Sequence, residues 1–189
     1  MPEHEQSNAL HPRIEELLEL LAETRAALTM AAAAVAPGRR SLRPAEDRWS
    51  VGEILDHVAR VESSFTRLLN KRVGDARACG HENETDDSSV LGRFGSEGVV
   101  DRTRRIEAPP IVRPQQGASA EEGLVALRTS RIGLRTALAN ASGLALGTIT
   151  QAHPFFGVLD MYQWAIVLGY HDLRHAAQIR EIADGSSSG

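Results

Sequence analysis

A single cysteine, Cys79, stands in a chain of 189 residues, so no intramolecular disulfide framework is available and a reducing compartment suits it. Lysine is nearly absent too: Lys71 is the sole one among 21 basic residues, and the rest are arginine. Those residues alternate with 25 acidic ones for a net charge of −4. That leaves neither the concentrated basic patch that nucleic acid requires nor a polybasic segment for an acidic membrane. No apolar run approaches transmembrane length, and the opening MPEHEQSNALHPR lacks the apolar stretch of a signal peptide. A cytoplasmic protein is therefore expected, whose partners are a small-molecule substrate or a second copy of itself, as a homodimer. The arginine excess, with abundant alanine and glycine, points to a high-GC bacterial genome. What is plentiful is apolar side chain, 42% of the residues, enough for one domain over 1–185 to bury its own core. Residues 186–189 read as a disordered tail.

The apolar positions recur at helical spacing. Ile14, Leu17, Leu18, Leu21, Leu28 and Val35 outline a first helix, closed by Pro37 and Gly38. Ser50 and Glu53 form a capping box that opens a second, whose apolar face runs from Val51 through Ile54, Leu55, Val58 and Phe65 to Leu69. Between 74 and 117 no period is sustained, an unusually long connection that suggests a functional loop, with short helical turns at 88–94 and 97–103. A capping box at Ser119 and Glu122 opens a third helix with Leu124, Leu127, Ile132, Leu134 and Leu138 on its apolar side, ended by Gly143 and Gly147. Asp160 and Gln163 open the fourth, which ends at Asp184 before Gly185. With no convincing strand alternation, the expectation is an all-α fold, a four-helix bundle with a long irregular connection between helices two and three.

Polar residues then interrupt one apolar stripe. On the fourth helix the inward positions are Trp164, Leu168, His171, His175, Gln178 and Ile182. Imidazoles four residues apart share a helical face and can converge on one metal ion. Helix two carries His57 on its apolar margin, so two ligands from one helix and one from another make a workable divalent-metal site. The alternative is core histidines satisfied by hydrogen bonds. Three neutral imidazoles leave the ion's charge uncompensated and a coordination position open, which suits lowering the pKa of a bound thiol or water. Zinc or nickel matches imidazole best.

The segments RWSVGEILDHVARVE and HPFFGVLDMYQWAIVLGYHDLRHAAQI also carry a family pattern. A Trp-Ser-x-x-Glu-x-x-x-His signature falls on Trp49, Ser50, Glu53 and His57, and a His-x-x-x-His signature on His171 and His175. In this the chain resembles the DinB/YfiT-like superfamily of metal-binding four-helix bundles, related to mycothiol-dependent maleylpyruvate isomerase N-terminal domains and bacillithiol transferases. The resemblance implies a transferase or isomerase using a low-molecular-weight thiol such as mycothiol, or a hydrolase; a non-catalytic metal-binding stress-response protein is the competing reading. Glu53 and Gln178 are candidates to orient the ligands from behind, although the capping box already accounts for Glu53. Arg60 and Arg174, each about one turn from a ligand, are candidates to clamp an anionic cofactor or substrate, against the ordinary reading of a solvated face. Asp56 and Asp172 are expected in water or in surface ion pairs. Trp49 and Trp164 are expected as core anchors and His153 as a structural turn residue. Cys79 lacks any activating context, and His4, His11 and His81 receive no role.

Overall fold

The computed structural model describes residues 9–103 and 106–185, and its elements are mostly helical. His4 and the tail at 186–189 lie outside the described residues. Helix α1 spans Pro12–Ala34, with His11 as its N-cap: the ring Nδ1 accepts from the Arg13 amide, and Pro12 opens the first turn, where no amide is needed. Helix α2, Val51–Ala78, opens on the expected capping box, with the Ser50 hydroxyl taking the Glu53 amide and the Glu53 carboxylate taking that of Ser50. The long connection holds a 3₁₀ turn at Leu91–Arg93, a single helical turn α3 at Glu97–Val100, and a second 3₁₀ turn at Pro110–Val112. Helix α4, Ala120–Ala141, again starts on a capping box, Ser119 with Glu122.

Two details depart from expectation. The inward face of α4 is Ala120, Gly123, Leu127, Ser130, Leu134, Leu138 and Ala141, so Ile132, two residues from both Ser130 and Leu134, points outward and is 67% exposed. A short antiparallel hairpin, β1 (Thr150–His153) with β2 (Gly157–Asp160), precedes the last helix. Strand β2 opens just after the turn on Gly157 at φ +76°, a left-handed conformation that suits glycine. Asp160 and Gln163 then cap α5, Met161–Asp184, which stops at Gly185, also left-handed.

Helix α2 packs chiefly against α4, α1 against α5, and α2 also meets α5. The α2–α4 approach is close: a Cβ on Gly52 would lie 2.1 Å from the Ala118 carbonyl oxygen, and one on Gly123 2.7 Å from the Leu55 Cβ. The buried side chains fall into two groups. One gathers around Leu17, Leu21, Phe65, Leu134 and Ile166, the other around Leu28, Ile54, Leu55, Leu127 and Ile179. Between those positions each long helix contributes one charged residue: Arg25, Glu62, Arg131 and Asp172. Arg25 Nε and Arg131 Nη2 donate to Asp172 Oδ2 at 2.9 and 3.0 Å, Arg25 Nη2 reaches Glu62 Oε2 at 3.1 Å, and Arg131 Nε pairs with Glu62 Oε1 at 2.7 Å. Two positive and two negative groups balance. Asp172, expected in water or in a surface ion pair, is instead 1% exposed and paired in the interior, because two guanidinium groups supply the partners that make its burial tolerable.

Candidate metal centre

His57 on α2 and His171 and His175 on α5 come together, with one ring nitrogen from each lying within 4.8 Å of the others. His57 and His175 are buried; His171 is partly open. The hydrogen bonds behind the rings fix which nitrogen faces inward. His57 Nδ1 lies 2.7 Å from the carbonyl oxygen of Val112. A carbonyl only accepts, so Nδ1 carries the proton and Nε2 of the neutral ring keeps its lone pair. His175 Nδ1 stands likewise 2.7 Å from Gln178 Oε1, and its Nε2 faces His171 Nε2 at 3.1 Å.

Burial holds all three imidazoles below the ordinary histidine pKa, furthest for His171 and His175, where the neighbouring rings add to the effect; at His57 the Val112 carbonyl and Asp56 oppose it without overcoming it. Burial disfavours the charged form of each ring, and the inward Nε2 lone pairs of His57 and His175 are acceptors that a cation can engage. The His171–His175 separation is close to the roughly 3.0–3.4 Å between nitrogens that each sit about 2.0–2.1 Å from one ion. The three residues form a group able to hold a metal ion, and among the described residues that group contains no fourth His, Cys or carboxylate.

The imidazoles form the floor of a cavity of about 340 Å³. Its walls come from α2, from α5, from the segment 106–112 and from the hairpin turn at Pro154–Phe156. Trp49 and Trp164 are only partly buried because they face this space. Trp49 lies 4.8 Å from the His57 ring, and Trp164 stacks on Phe65 while its Nε1–H donates to the Gln151 carbonyl. They are walls of a cavity as much as anchors of a core. His153 joins them on the hairpin and packs on Trp164 at 4.4 Å.

The remaining sequence candidates separate. Gln178 is placed behind His175, as described. Glu53 does not orient His57; its carboxylate takes Arg43 and the amides of Ser50 and Gly117. Arg60 pairs with Asp56 one turn away, at 2.7 Å, and is not among the residues lining the cavity. Arg174 does line it, but its Nη1 donates to the carbonyl oxygens of Val99 and Asp101, which ties the α3 turn to α5. Cys79 is exposed at the end of α2. The Val112 carbonyl is not legible in the sequence, since a main-chain acceptor leaves no side-chain signature.

A mostly helical protein with three converging, neutral imidazoles beneath a cavity defines a class of candidate metal-binding helical proteins. The chain belongs to the DinB superfamily, whose family model matches residues 20–179. It is also 27% identical over 146 residues to the uncharacterized protein YuaE of Bacillus subtilis (strain 168), a span of 75% of this chain and 82% of that protein. No solved structure matches the chain significantly. Among the described residues no helix is long and apolar enough to cross a membrane.

Proposed function

We propose that this protein is a metal-dependent enzyme, built as one four-helix-bundle domain, in which His57, His171 and His175 hold a zinc or nickel ion. The proposed reaction is transfer to, or isomerisation with, a low-molecular-weight thiol such as mycothiol, with hydrolysis as the variant in which water takes the thiol's place. The observation that carries it is that the three imidazoles form the floor of a cavity and have no fourth protein ligand in their group. A purely structural site is normally closed by four protein ligands. A divalent ion so held supplies Lewis acidity, lowering the pKa of a thiol or water beside it. The chain's own residues do the rest. The Val112 carbonyl and Gln178 fix the tautomers of His57 and His175, and the aromatic walls exclude water. No side chain of the site is a nucleophilic thiol, which is why an external one suits the chemistry.

Metal analysis of protein purified without a histidine tag tests the first half. A single zinc or nickel ion per chain, lost in His57→Ala, is expected; negligible metal, unchanged by that substitution, refutes the metal site. A transfer screen with mycothiol, bacillithiol and glutathione, comparing wild type with His171→Ala, tests the second. Turnover lost in the variant is expected, and metal-loaded protein inert towards every thiol would sink the thiol reading.

A further inference from the structure

We propose that the cavity over the imidazoles receives a small, uncharged molecule with an apolar, largely aromatic body, and that polyhydroxylated ligands enter it with no more than a thiol or similar head group. The head group rests on the metal reading above; the choice of body rests on the walls alone. At about 340 Å³ the space lies at the small end of the roughly 300–1,000 Å³ range of ligand sites.

Apart from the three candidate-site imidazoles, the walls present Ser64, His153, Arg174 and the indole N–H groups of Trp49 and Trp164 as their polar or titratable side-chain groups, and Ser64, His153, Arg174 and Trp164 each have a protein partner. Ser64 Oγ accepts from Arg67 at 2.9 Å, and Arg174 Nη1 donates to Val99 and Asp101. His153 Nδ1 accepts from the Phe155 amide at 3.2 Å, while its ring packs on Phe156 and Trp164. Burial pulls His153 down to about 4, so at neutral pH it is one more uncharged aromatic surface. A sugar entering this space would exchange water for hydrocarbon and aromatic faces, at a loss on the order of tenfold per unpaired hydroxyl. A phenyl ring gains on the same walls. The apolar character continues outward: Ile111 and Phe155 at the mouth are 75% and 49% exposed, where a polar rim would be ordinary for a protein that admits only charged or hydroxylated ligands.

The test uses cobalt-loaded protein and the thiolate-to-cobalt absorption band. 2-Phenylethanethiol is compared with 1-thio-β-D-glucose, and a neutral dye, N-phenyl-1-naphthylamine, is titrated into metal-free protein. The expected result is roughly 10- to 100-fold tighter binding of the phenyl thiol. Saturable dye binding is also expected. Val61→Thr, which adds a hydroxyl to the wall with little change of volume, should weaken the phenyl thiol and the dye several-fold while leaving thioglucose unchanged. Cobalt uptake with thioglucose bound as tightly as the phenyl thiol overturns the inference and leaves the metal site standing. Failure to take up cobalt sinks the metal reading, and the dye then decides alone: binding weakened by Val61→Thr supports the apolar cavity, and absence of saturable binding overturns it.

Discussion

Glu53→Gln changes a single atom type and should reveal how the start of α2 is held. The Glu53 carboxylate is 1% exposed and accepts from the Ser50 amide at 2.9 Å, from the Gly117 amide at 3.0 Å and from Arg43 at 2.6–3.2 Å. Burial alone would raise its pKa. The guanidinium and the two amides outweigh that and hold it down to about 2, against an ordinary value near 4.3. At about 1.4 kcal/mol per unit the difference corresponds to roughly 3 kcal/mol. Arg43 is 36% exposed, so solvent screens part of its attraction and about 2 kcal/mol is the expected loss in the glutamine variant at pH 7.

The pH dependence gives the sharper test. A carboxyl depressed by folding stabilises the protein above its unfolded pKa, and that contribution disappears as pH falls through the folded value. The wild-type advantage should therefore be constant above about pH 5, shrink from about pH 4.3 downward and be nearly gone by about pH 2. Urea unfolding of metal-free wild type and variant from pH 7 to 2, followed by circular dichroism, measures it. An advantage that is the same at pH 3 as at pH 7 would refute the electrostatic account and leave only shape or packing at this position.

The other predictions concern the core and the proposed metal site. Arg131→Met leaves Glu62 and Asp172 buried with Arg25 as their remaining guanidinium, which should cost about 3–5 kcal/mol; adding Asp172→Asn restores charge balance, so chemical denaturation should show the double variant losing less than the sum of the singles. Gln178→Leu removes the acceptor behind His175 and should lower zinc affinity about 10- to 100-fold in a chelator competition with helix content unchanged; unchanged affinity would remove Gln178 from the site. Gly52→Ala would place a Cβ 2.1 Å from a main-chain oxygen, so its loss of stability should exceed the roughly 1–3 kcal/mol of ordinary overpacking. A variant as stable as wild type in urea would mean that α2 and α4 can part at no cost.

The long helices are legible because their signals are local. Three capping boxes, Ser50 with Glu53, Ser119 with Glu122 and Asp160 with Gln163, mark their own starts, and the convergence of His171 and His175 follows from a spacing of four. The hairpin is not legible: each strand has four residues, too few for alternation to show, and His153, Phe155 and Phe156 face a cavity that the sequence does not announce. The buried charges mislead because charge ordinarily marks an outer face. Their positions nevertheless carry the signal. Arg25 falls four residues after Leu21 and three before Leu28, Glu62 likewise between Val58 and Phe65, and Arg131 between Leu127 and Leu134, all of them buried neighbours. An ionic residue at an inward register position on three helices predicts a common layer, and Asp172 between Leu168 and Ala176 completes it.

That layer bears on the three-histidine cluster through α5. His171 and Asp172 are consecutive, so their side chains leave the helix about 100° apart, one toward the cavity and the other into the ionic layer. A rotation of α5 that moved the imidazoles off His57 would also pull Asp172 from Arg25 and Arg131. Buried ion pairs add little net stability compared with apolar packing; what four charges drawn from four helices can supply is a fixed register. On this reasoning Arg131→Met, studied at a temperature where it stays folded, binds zinc more weakly than wild type although Arg131 does not line the cavity. Equal affinity would show that the three imidazoles are held by their own hydrogen bonds and packing, with no contribution from the charges beneath them.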